Sequence, residues 1–562
     1  MSKRVLVLSD FNVDNLCGYL RNQFEERGVA LEVEAGPFGQ VVPTLLDPSA
    51  PCWQPAPDGV VLWTLPEAVI PSFAALLDGR RIALEDALAE VRSFADAIKA
   101  AAVRAGWMYV ASWAAPRSPS LAFGSLEMQP GVGVTATLMR LNLAMVEALA
   151  DSGVTVLDAS RWLRGSSAEV FSAKRWYLAK VPFGNAALRE AAIDLEAAIG
   201  NRLGRGRKLV IVDLDDTMWG GILGDEGWEN LRLGGHDAVG EAHVDFQRGL
   251  LALKQRGILL AVVSKNTESI ALEAMRKHPE MIVRPEDLVG WRINWDDKAR
   301  NVVELVRELG LGLDAVVFID DNPFERARLA EALPDVLVPD WPKDPLRYRT
   351  ALASLRCFDA VALSKEDQDR TTLYAQERAR AAERAAFASV DEWLTTLQTT
   401  VRVEPLGPAN LARVAQLLNK TNQLNLRTRR MTEAELLRWA EQPGCSVHAF
   451  HVSDRFGVAG LTGILGLRIA DGVAHLDDFV LSCRVMGRKV EETIVHLATV
   501  LAREGQATSV RAEYLPTAKN GPCLAFWRRS GFAVEGDEAT PMFVWPSERE
   551  YPLPTAITLE RG

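Results

Sequence analysis

Three groups of polar residues in the middle of the chain have the types and the spacing that phosphoryl transfer requires. Each follows a short apolar run, and the groups are Asp213-Leu214-Asp215-Asp216-Thr217, Ser264-Lys265-Asn266 and Asp320-Asp321-Asn322-Pro323, with Lys298 between the last two. A carboxylate can attack phosphorus, a hydroxyl and an ammonium can stabilise phosphoryl oxygens, and further carboxylates can hold a divalent cation. A solvated turn is the alternative for each group alone, but the combination favours chemistry.

The apolar runs before these groups predict the elements that must position them. The runs 208–212, 259–263 and 315–319 are short and, apart from Lys208, apolar, which is typical of buried parallel strands, and helices such as 238–256 lie between them. Ligands bind at the carboxyl edge of such a sheet, so we expect the polar groups to meet there. The intervals of 51 positions from Asp213 to Ser264 and 34 from Ser264 to Lys298 leave no room for a cap domain.

Composition and charge restrict the class of protein and its partners. A chain of 562 residues with 48% hydrophobic and 24% charged residues is typical of a folded protein with several cores. The net charge of −11 argues against nucleic acid and against a membrane as partners. Six cysteines form no CxxC pair, and no apolar stretch is long enough for a signal peptide or a membrane span. We expect a cytoplasmic enzyme.

Alternating strand-like and helix-like segments, followed by a strand-rich part, predict an α/β multidomain protein. Strands are expected at 5–8, 60–63, 107–111 and 154–157, with helices between them, and the glycines at 204 and 206 mark a boundary. A charged helix capped by Ser364-x-x-Asp367 is expected to connect to the strand-rich part. The predicted division is a first domain at 1–203, a second at 204–362, a helical connector at 363–398 and a third domain at 399–562.

One cysteine precedes a predicted helix and is the candidate nucleophile of the last domain. Cys483 lies just before an amphipathic helix at 490–504, near Arg484, Arg488 and Lys489. The helix dipole and these cations favour the thiolate, so we expect the pKa of this thiol to lie below its ordinary value of about 8.5. A buried, inert cysteine is the alternative.

The segment 419–430 is unusually dense in amide and basic side chains. It is either a surface loop with capping amides or a polar lining for a phosphorylated or carboxylated ligand, with Asn422 and Arg430 as candidate substrate contacts. Its arginines, together with Arg528 and Arg529, could also form a basic patch that docks an acidic carrier protein.

The order of the four central motifs resembles the haloacid dehalogenase (HAD) phosphohydrolase superfamily over about residues 205–350. This resemblance implies a capless, Rossmann-like domain in which Asp213 attacks phosphorus and Asp215 acts as the general acid and base. It implies that Ser264 binds a phosphoryl oxygen and that Lys298 neutralises charge.

The same resemblance implies a Mg²⁺ site. Its expected ligands are Asp213, the backbone carbonyl of Asp215, and Asp320, with Asp321 close by. Thr217 and Asn266 are expected to contact the substrate. Supporting or solvated positions are expected for Asp216, Lys265, Asp296 and Asp297.

The flanking domains resemble two further folds. Arg484-x-x-Gly487, with Asn520-x-x-Cys523 and the residues after it, resembles the Gcn5-related N-acetyltransferase (GNAT) fold, an α+β domain. In that fold the turn at Gly487 would hold the diphosphate of coenzyme A; Lys489 stands where glycine or alanine is usual, so a phosphopantetheine arm remains the alternative ligand.

Ser9 after the first strand suggests an SGNH-hydrolase-like α/β domain. However, Asp158-Ala159-Ser160-Arg161 has arginine where that fold would place histidine. A hydroxyl without an imidazole partner lacks a general base, so we expect no hydrolysis at Ser9.

Taken together, the motifs after residue 200 resemble the FkbH-like family of polyketide pathways. The resemblance implies a bifunctional glyceryl transferase/phosphatase that takes 1,3-bisphosphoglycerate, removes phosphate and delivers the glyceryl group to an acyl carrier protein. Cys483 would hold the glyceryl group as a thioester, and the Asp213 site would cleave the phosphomonoester. The alternatives are a plain Mg²⁺-dependent phosphatase, a coenzyme A-dependent acyltransferase, and a scaffold that docks carrier proteins.

Overall fold

The computed structural model describes residues 3–114, 124–164, 170–359, 376, 380, 383, 384, 387, 389–421, 423–517 and 519–562, without the side chains of Lys420 and Cys483. Most of the connector predicted at 363–398, including its Ser364-x-x-Asp367 cap, lies outside these residues. The chain forms two compact units, Met1–Gly206 with Leu355–Ala362, and Arg207–Ser354 with Leu363–Gly562.

The first unit contains a parallel sheet of five strands in its described part, with the order β2-β1-β3-β4-β5. The strands are β1 (Lys3–Ser9), β2 (Leu31–Ala35), β3 (Gly59–Trp63), β4 (Met108–Ala111) and β5 (Val154–Leu157). The helices are α1 (Asp14–Glu25), α2 (Val41–Leu46), α3 (Pro66–Val69), α4 (Pro71–Leu77), α5 (Leu84–Ala102), α6 (Val134–Leu149), α7 (Ser160–Arg164), α8 (Ala173–Ala179) and α9 (Asn185–Arg202). The predicted strands are confirmed, and apolar side chains pack on both faces of the sheet.

The second unit begins with a parallel sheet whose described strands have the order β8-β7-β6-β9. These are β6 (Leu209–Val212), β7 (Leu259–Ser264), β8 (Gly290–Ile293) and β9 (Val316–Ile319). The helices are α10 (Leu223–Glu226), α11 (Ala238–Gln255), α12 (Glu268–Lys277), α13 (Lys298–Glu308), α14 (Pro323–Ala332) and α15 (Tyr348–Ser354). The chain runs from β6 outward to β7 and β8 on one side and returns to β9 on the other, so the carboxyl end of β6 lies where the strand order reverses.

The remainder of the second unit is built on a nine-stranded, mainly antiparallel sheet among the described residues. Its strands are β10 (Thr399–Pro405), β11 (Leu424–Asn425), β12 (Cys445–Asp454), β13 (Gly457–Ala470), β14 (Val473–Leu481), β15 (Ser509–Glu513), β16 (Ala533–Glu535), β17 (Met542–Pro546) and β18 (Ile557–Arg561). The helices are α16 (Val390–Thr396), α17 (Leu411–Lys420), α18 (Glu433–Ala440), α19 (Val490–Glu504) and α20 (Gly521–Arg529). Two pairs, β14 with β15 and β10 with β18, are parallel.

A mixed α/β protein with parallel sheets therefore agrees with the expected fold class. Helix α5 extends back to Leu84 because Ala87 and Val91 lie on the same buried face as Phe94 and lengthen its apolar stripe. Among the described residues, none of the helices combines the length and the apolar character that spanning a bilayer would require.

Two arginines of the polar segment 419–430 neutralise buried carboxylates. Arg427 Nη1 lies 2.7 Å from Asp477 Oδ1, and Arg429 forms a two-point ion pair with Asp478. Asp477 and Asp478 on β14 are 3% and 1% exposed. These two arginines therefore do not contribute to the basic patch expected from the sequence; they fasten the segment to the sheet instead.

We expect Asp478→Ala to destabilise the sheet that contains β14 by about 3 kcal/mol or more, because it leaves the half-buried Arg429 guanidinium without its partner. Thermal or urea unfolding of the full chain, followed by tryptophan fluorescence, measures this loss. Glu548→Ala, which truncates an exposed acidic side chain, is the control. Equal unfolding of the two variants would contradict a structural role for the ion pair.

Candidate active site

The carboxyl edge of the parallel sheet brings together an ammonium and two buried carboxylates. Asp213 follows β6, Asp320 follows β9, and Lys298 is the first residue of α13, which Asp297 caps by accepting a hydrogen bond from the amide of Arg300. Lys298 Nζ lies 2.6 Å from Asp320 Oδ2 and 3.1 Å from Asp213 Oδ1. Three residues that are far apart in sequence thus meet in one ion cluster, as the strand order predicts.

Burial and mutual repulsion shape the electrostatics of this cluster. Burial raises the pKa of Asp213 above its ordinary value, the Lys298 ammonium opposes that shift, and the Asp320 charge adds to it. Burial alone would lower the pKa of Lys298, but the two carboxylates outweigh it and raise that pKa. Burial and the neighbouring Asp320 also raise the pKa of Asp321 to about 6. One cation among several carboxylates leaves the cluster short of positive charge.

The residues present fit a hard divalent cation. Ligand oxygens of Asp213, Asp320 and Asp321 all lie within 4.8 Å of one another. Asp213 Oδ1 is buried, and its partner is the Lys298 ammonium at 3.1 Å, without a hydrogen bond of good geometry, so this oxygen can still accept a further cation. Carboxylate oxygens with an unsatisfied lone pair are the ligands that Mg²⁺ prefers. The carboxylate of Asp215 is not in this group, which is compatible with the expected ligation through its backbone carbonyl.

Asp215 is held in place by three donors. Its Oδ1 accepts hydrogen bonds from Trp219 Nε1 at 2.9 Å and from the amide of Leu223 at 3.2 Å, and its Oδ2 accepts one from Asn266 Nδ2 at 3.1 Å. Burial raises the pKa of this carboxyl, and the bond from Trp219 partly offsets the rise. Asn266 is 5% exposed and contacts Asp215; its expected contact with substrate stays a prediction.

The Thr217 side chain contacts Asp321, and its expected contact with substrate stays a prediction. Its side chain is fully buried; Oγ1 accepts a hydrogen bond from the Asp321 amide at 3.0 Å and donates one to Asp321 Oδ1 at 3.3 Å. This geometry orients the Asp321 carboxylate within the cluster.

Three side chains hold the loop that follows the first carboxylate. The carbonyls of residues 216–218 accept hydrogen bonds, in order, from Tyr348 Oη at 3.1 Å, His243 Nδ1 at 3.0 Å and Gln247 Nε2 at 2.8 Å. His243 and Gln247 are one turn apart on α11 and fully buried. Burial lowers the pKa of His243, which favours the neutral ring with its proton on Nδ1. We call these three side chains the loop clamp.

The sequence analysis did not find the loop clamp. The available signal was a histidine and a glutamine four positions apart within the apolar stripe of a helix, where a polar side chain requires a buried partner. Tyr348 offered no such signal, because it is distant in sequence from both the loop and α11.

Ser264 lies at the end of β7 and is 2% exposed. Its hydroxyl forms a hydrogen bond with the Asp213 carboxylate, so the two side chains are in contact; binding of a phosphoryl oxygen by Ser264 stays a prediction.

Two of the residues expected to support the site have partners of their own. Lys265 pairs with Glu325 at 2.7 Å, and the Asp216 carboxylate accepts a hydrogen bond from the Gly221 amide.

Two candidate residues of the last domain have side chains that the structure does not describe. Asn422 and the side chain of Cys483 are not described, so their expected roles stay predictions. Arg430 donates from Nη1 to the carbonyl of Leu418 at 2.6 Å, and Arg484 donates from Nε to Ser482 Oγ at 3.3 Å.

The turn before α19 is occupied by a side chain of its own helix. The Gly487 amide donates to Glu491 Oε1 at 2.7 Å, and Glu491 is 3% exposed. Lys489, at the first position before the helix, has a positive φ of 66°, a conformation that favours glycine. The amide expected to meet a diphosphate therefore already has an acidic partner.

The edge of the first sheet lacks the partner that hydrolysis at Ser9 needs. Ser9 is 5% exposed and its Oγ accepts a hydrogen bond from the Phe11 amide at 3.2 Å. Asp158 forms an ion pair with Arg164 at 3.1 Å. All seven histidines of the sequence lie after residue 235, so none belongs to the domain predicted at 1–203, and the non-hydrolytic role of Ser9 stays a prediction.

The chain resembles solved structures. The N-terminal part of the protein BF1531 from Bacteroides fragilis, containing a phosphatase domain complexed with Mg, is 26% identical and covers 64% of this chain and 95% of its own, with a TM-score of 0.58. The GNAT domain of S. lividans PAT (14% identity, 26% of this chain and 89% of that one, TM-score 0.22) and Ard1 from Thermoplasma volcanium (16%, 26% and 94%, 0.21) also align.

No protein-family model and no curated protein matches the sequence. The carboxylate cluster and the similarity to a structure with a phosphatase domain together support an enzyme of phosphatase character.

His243→Ala removes one donor of the loop clamp without touching the carboxylate cluster. Groups that orient the surroundings of metal ligands typically change metal affinity about 10- to 100-fold, so we expect Mg²⁺ binding, measured by calorimetry, to weaken by about tenfold or more. His236→Ala, at an exposed position before the same helix, is the control and should bind Mg²⁺ like the parent chain. Unchanged affinity in His243→Ala would show that the loop keeps its position without the clamp.

Proposed function

We propose that the chain is a bifunctional glyceryl transferase/phosphatase of the FkbH-like kind, which converts 1,3-bisphosphoglycerate into a glyceryl thioester on an acyl carrier protein. The observation that carries the phosphatase half is the cluster in which Lys298 Nζ lies between Asp213 and Asp320 at the carboxyl edge of β6. The transferase half depends on the resemblance of the last domain's motifs to the FkbH-like family.

The residues of the cluster divide the phosphatase steps among them. Asp213 attacks phosphorus; the bond from phosphorus to the ester oxygen breaks, and Asp215 gives its proton to that oxygen. Water then attacks the aspartyl phosphate and passes a proton to Asp215, and the bond between Asp213 and phosphorus breaks. The raised pKa of Asp215 supports its role as the acid, and the Lys298 ammonium balances the charge that accumulates on the phosphoryl oxygens.

Asp213, Asp320 and Asp321, with the carbonyl of Asp215, would hold Mg²⁺. When bound, this ion supplies positive charge that neutralises the phosphoryl group and orients it toward the attacking carboxylate. Thr217 and the loop clamp keep the ligands in position, as described above. The Mg-bound phosphatase domain of BF1531 supports this choice of ion.

The rim of the site supports a large partner. Ile222, Trp295 and Phe324 are 48%, 73% and 83% exposed. Ile222 lies in the loop after Asp213, Trp295 in the loop before Lys298, and Phe324 in the first turn of α14, which follows Asp320 and Asp321. Large apolar side chains exposed together around a site are typical of a surface that a partner covers. With no cap domain in the parallel-sheet region, a carrier protein docked on this rim would exclude water from the reaction.

The transferase half follows from the chemistry of the substrate. An acyl phosphate is already activated, so a thiolate at Cys483 can attack the acyl carbon, and phosphate leaves with the electrons of the broken C–O bond. The thiol of the phosphopantetheine arm then displaces Cys483 from the thioester. Because the Gly487 amide is engaged by Glu491, a carrier-bound arm without a nucleotide suits this turn better than coenzyme A.

A plain Mg²⁺-dependent phosphatase is the second candidate function. The same internal hydrogen bond from Gly487 to Glu491 favours it, because a turn that is satisfied by its own side chain can be purely structural. We place either activity in the cytoplasm; the five cysteines with described side chains are free thiols, which agrees with a reducing compartment.

Asp213→Asn tests the phosphatase half. We expect phosphate release from 1,3-bisphosphoglycerate, or from a simple phosphomonoester, to fall by at least about a thousandfold, since an amide cannot form the aspartyl phosphate. The matched control is Asp216→Asn, in the same loop, at an exposed position whose positive φ of 51° suits asparagine. A colorimetric phosphate assay reads both. Comparable activity in the two variants would refute the assignment of Asp213.

Cys483→Ala tests the transferase half. After incubation with 1,3-bisphosphoglycerate and Mg²⁺, intact-protein mass spectrometry should detect a glyceryl adduct on the parent chain and none on this variant, while phosphate release stays measurable. Cys445→Ala, a partly exposed cysteine elsewhere in the domain, should keep the adduct. An adduct on Cys483→Ala would move the thioester to another residue, and no adduct on any chain would leave the plain phosphatase.

A further inference from the structure

One helix of the first unit exposes an apolar stripe. On α6, Met139, Leu143 and Val146 follow one another at positions i, i+4 and i+7 and are 58%, 54% and 47% exposed. At about 100° per residue these positions lie within about 60° of one another around the helix. Leu126 and Met128, in the short helical turn that packs near the start of α6, are 46% and 61% exposed and lengthen the patch.

Charges of opposite sign flank this stripe on the same side. Arg140 and Glu147 are about 100° and about 80° around the helix from Met139, so both line one flank. Both are exposed, and no opposite charge within the described part of the chain pairs with either. Along the helix, Arg140 and Glu147 are equally far from the midpoint between residues 143 and 144.

We propose that this stripe is a two-fold interface between two copies of the chain. Two α6 helices packed antiparallel around a two-fold axis near Leu143 bring Met139 of one copy against Val146 of the other and Leu143 against its own counterpart. The axis keeps the charged flank of one helix beside the charged flank of the other. Arg140 of each copy then meets Glu147 of the other, twice in the dimer.

The self-complementarity of the stripe is the reason for choosing a second copy as its occupant. A partner of a different sequence needs no such symmetry between the apolar positions and the charges around residue 143, whereas an isologous interface requires it. Covering the stripe removes several large apolar side chains from water, and the two ion pairs fix the antiparallel register. This inference is independent of the proposed catalysis.

The first experiment tests whether Leu143 faces its own copy. Under mild oxidation, Leu143→Cys should form a disulfide-linked dimer on a non-reducing gel, because the two side chains lie beside the axis. Ser93→Cys, at an exposed position of α5 outside the stripe, and the parent chain with its native cysteines are the controls and should stay unlinked. Absence of the linked dimer in Leu143→Cys, or equal linking in the controls, would overturn the proposal.

The second experiment tests the register by charge reversal. Light scattering during gel filtration should give twice the chain mass for the parent protein. Arg140→Glu and Glu147→Arg should each weaken dimerisation by about tenfold or more, because like charges meet twice, and the double variant should restore it. Circular dichroism verifies that all three variants fold. A monomeric parent chain would assign the stripe to another partner and overturn the proposal, as would a double variant no better than the single ones.

Discussion

The buried ammonium of Lys298 between two carboxylates is the contact on which the central site depends. Asp213 and Asp320 come from different strands, and without a cation their charges would repel at close range in a poorly hydrated setting. Lys298 is the first residue of a helix, which fixes its backbone, and its ammonium reaches both carboxylates within 3.1 Å. Two acids can therefore stay close together until a further cation and a phosphoryl group complete the charge balance.

Around this contact, side-chain hydrogen bonds hold the backbone of two loops. The loop after Asp213 receives the three donors of the loop clamp, and the Asp320 loop is held by Arg326, which donates to the carbonyls of residues 320 and 321. Backbone carbonyls fixed in this way cannot drift toward bulk water when the site is open. In a site without a cap domain, these hydrogen bonds beneath the pocket have to keep the loops ordered.

Much of this arrangement could be predicted from the sequence. Buried parallel strands are recognisable as short apolar runs, and the loops that follow them carry the acidic residues. The positions of Asp213, Ser264, Lys298 and Asp320 at one edge followed from that pattern alone. The contacts of Thr217 and Asn266 did not, since a residue beside the nucleophile can bind either substrate or a neighbouring side chain. Such a choice is settled by side-chain direction and burial, which a linear pattern does not contain.

In the last domain, the contacts of the polar segment 419–430 could not be predicted from the sequence either. Its arginines looked like a surface charge because their partners, the paired aspartates of β14, are about fifty positions away. Long-range ion pairs leave no local periodicity, so the sequence left open whether the segment is a surface loop, a lining for a ligand or part of a basic patch. The capping role of Asp297, by contrast, depends only on its neighbours in the chain.

The carboxylate of Glu491, folded back onto the Gly487 amide, has a consequence for metabolite selection. Free nucleotides are abundant in cells, and many turns that precede a helix recruit them through their phosphates. Here the Glu491 carboxyl group already accepts a hydrogen bond from the Gly487 amide, so a nucleotide phosphate would find one donor fewer at this turn. A ligand that binds at this turn therefore has to use other contacts or displace the Glu491 side chain.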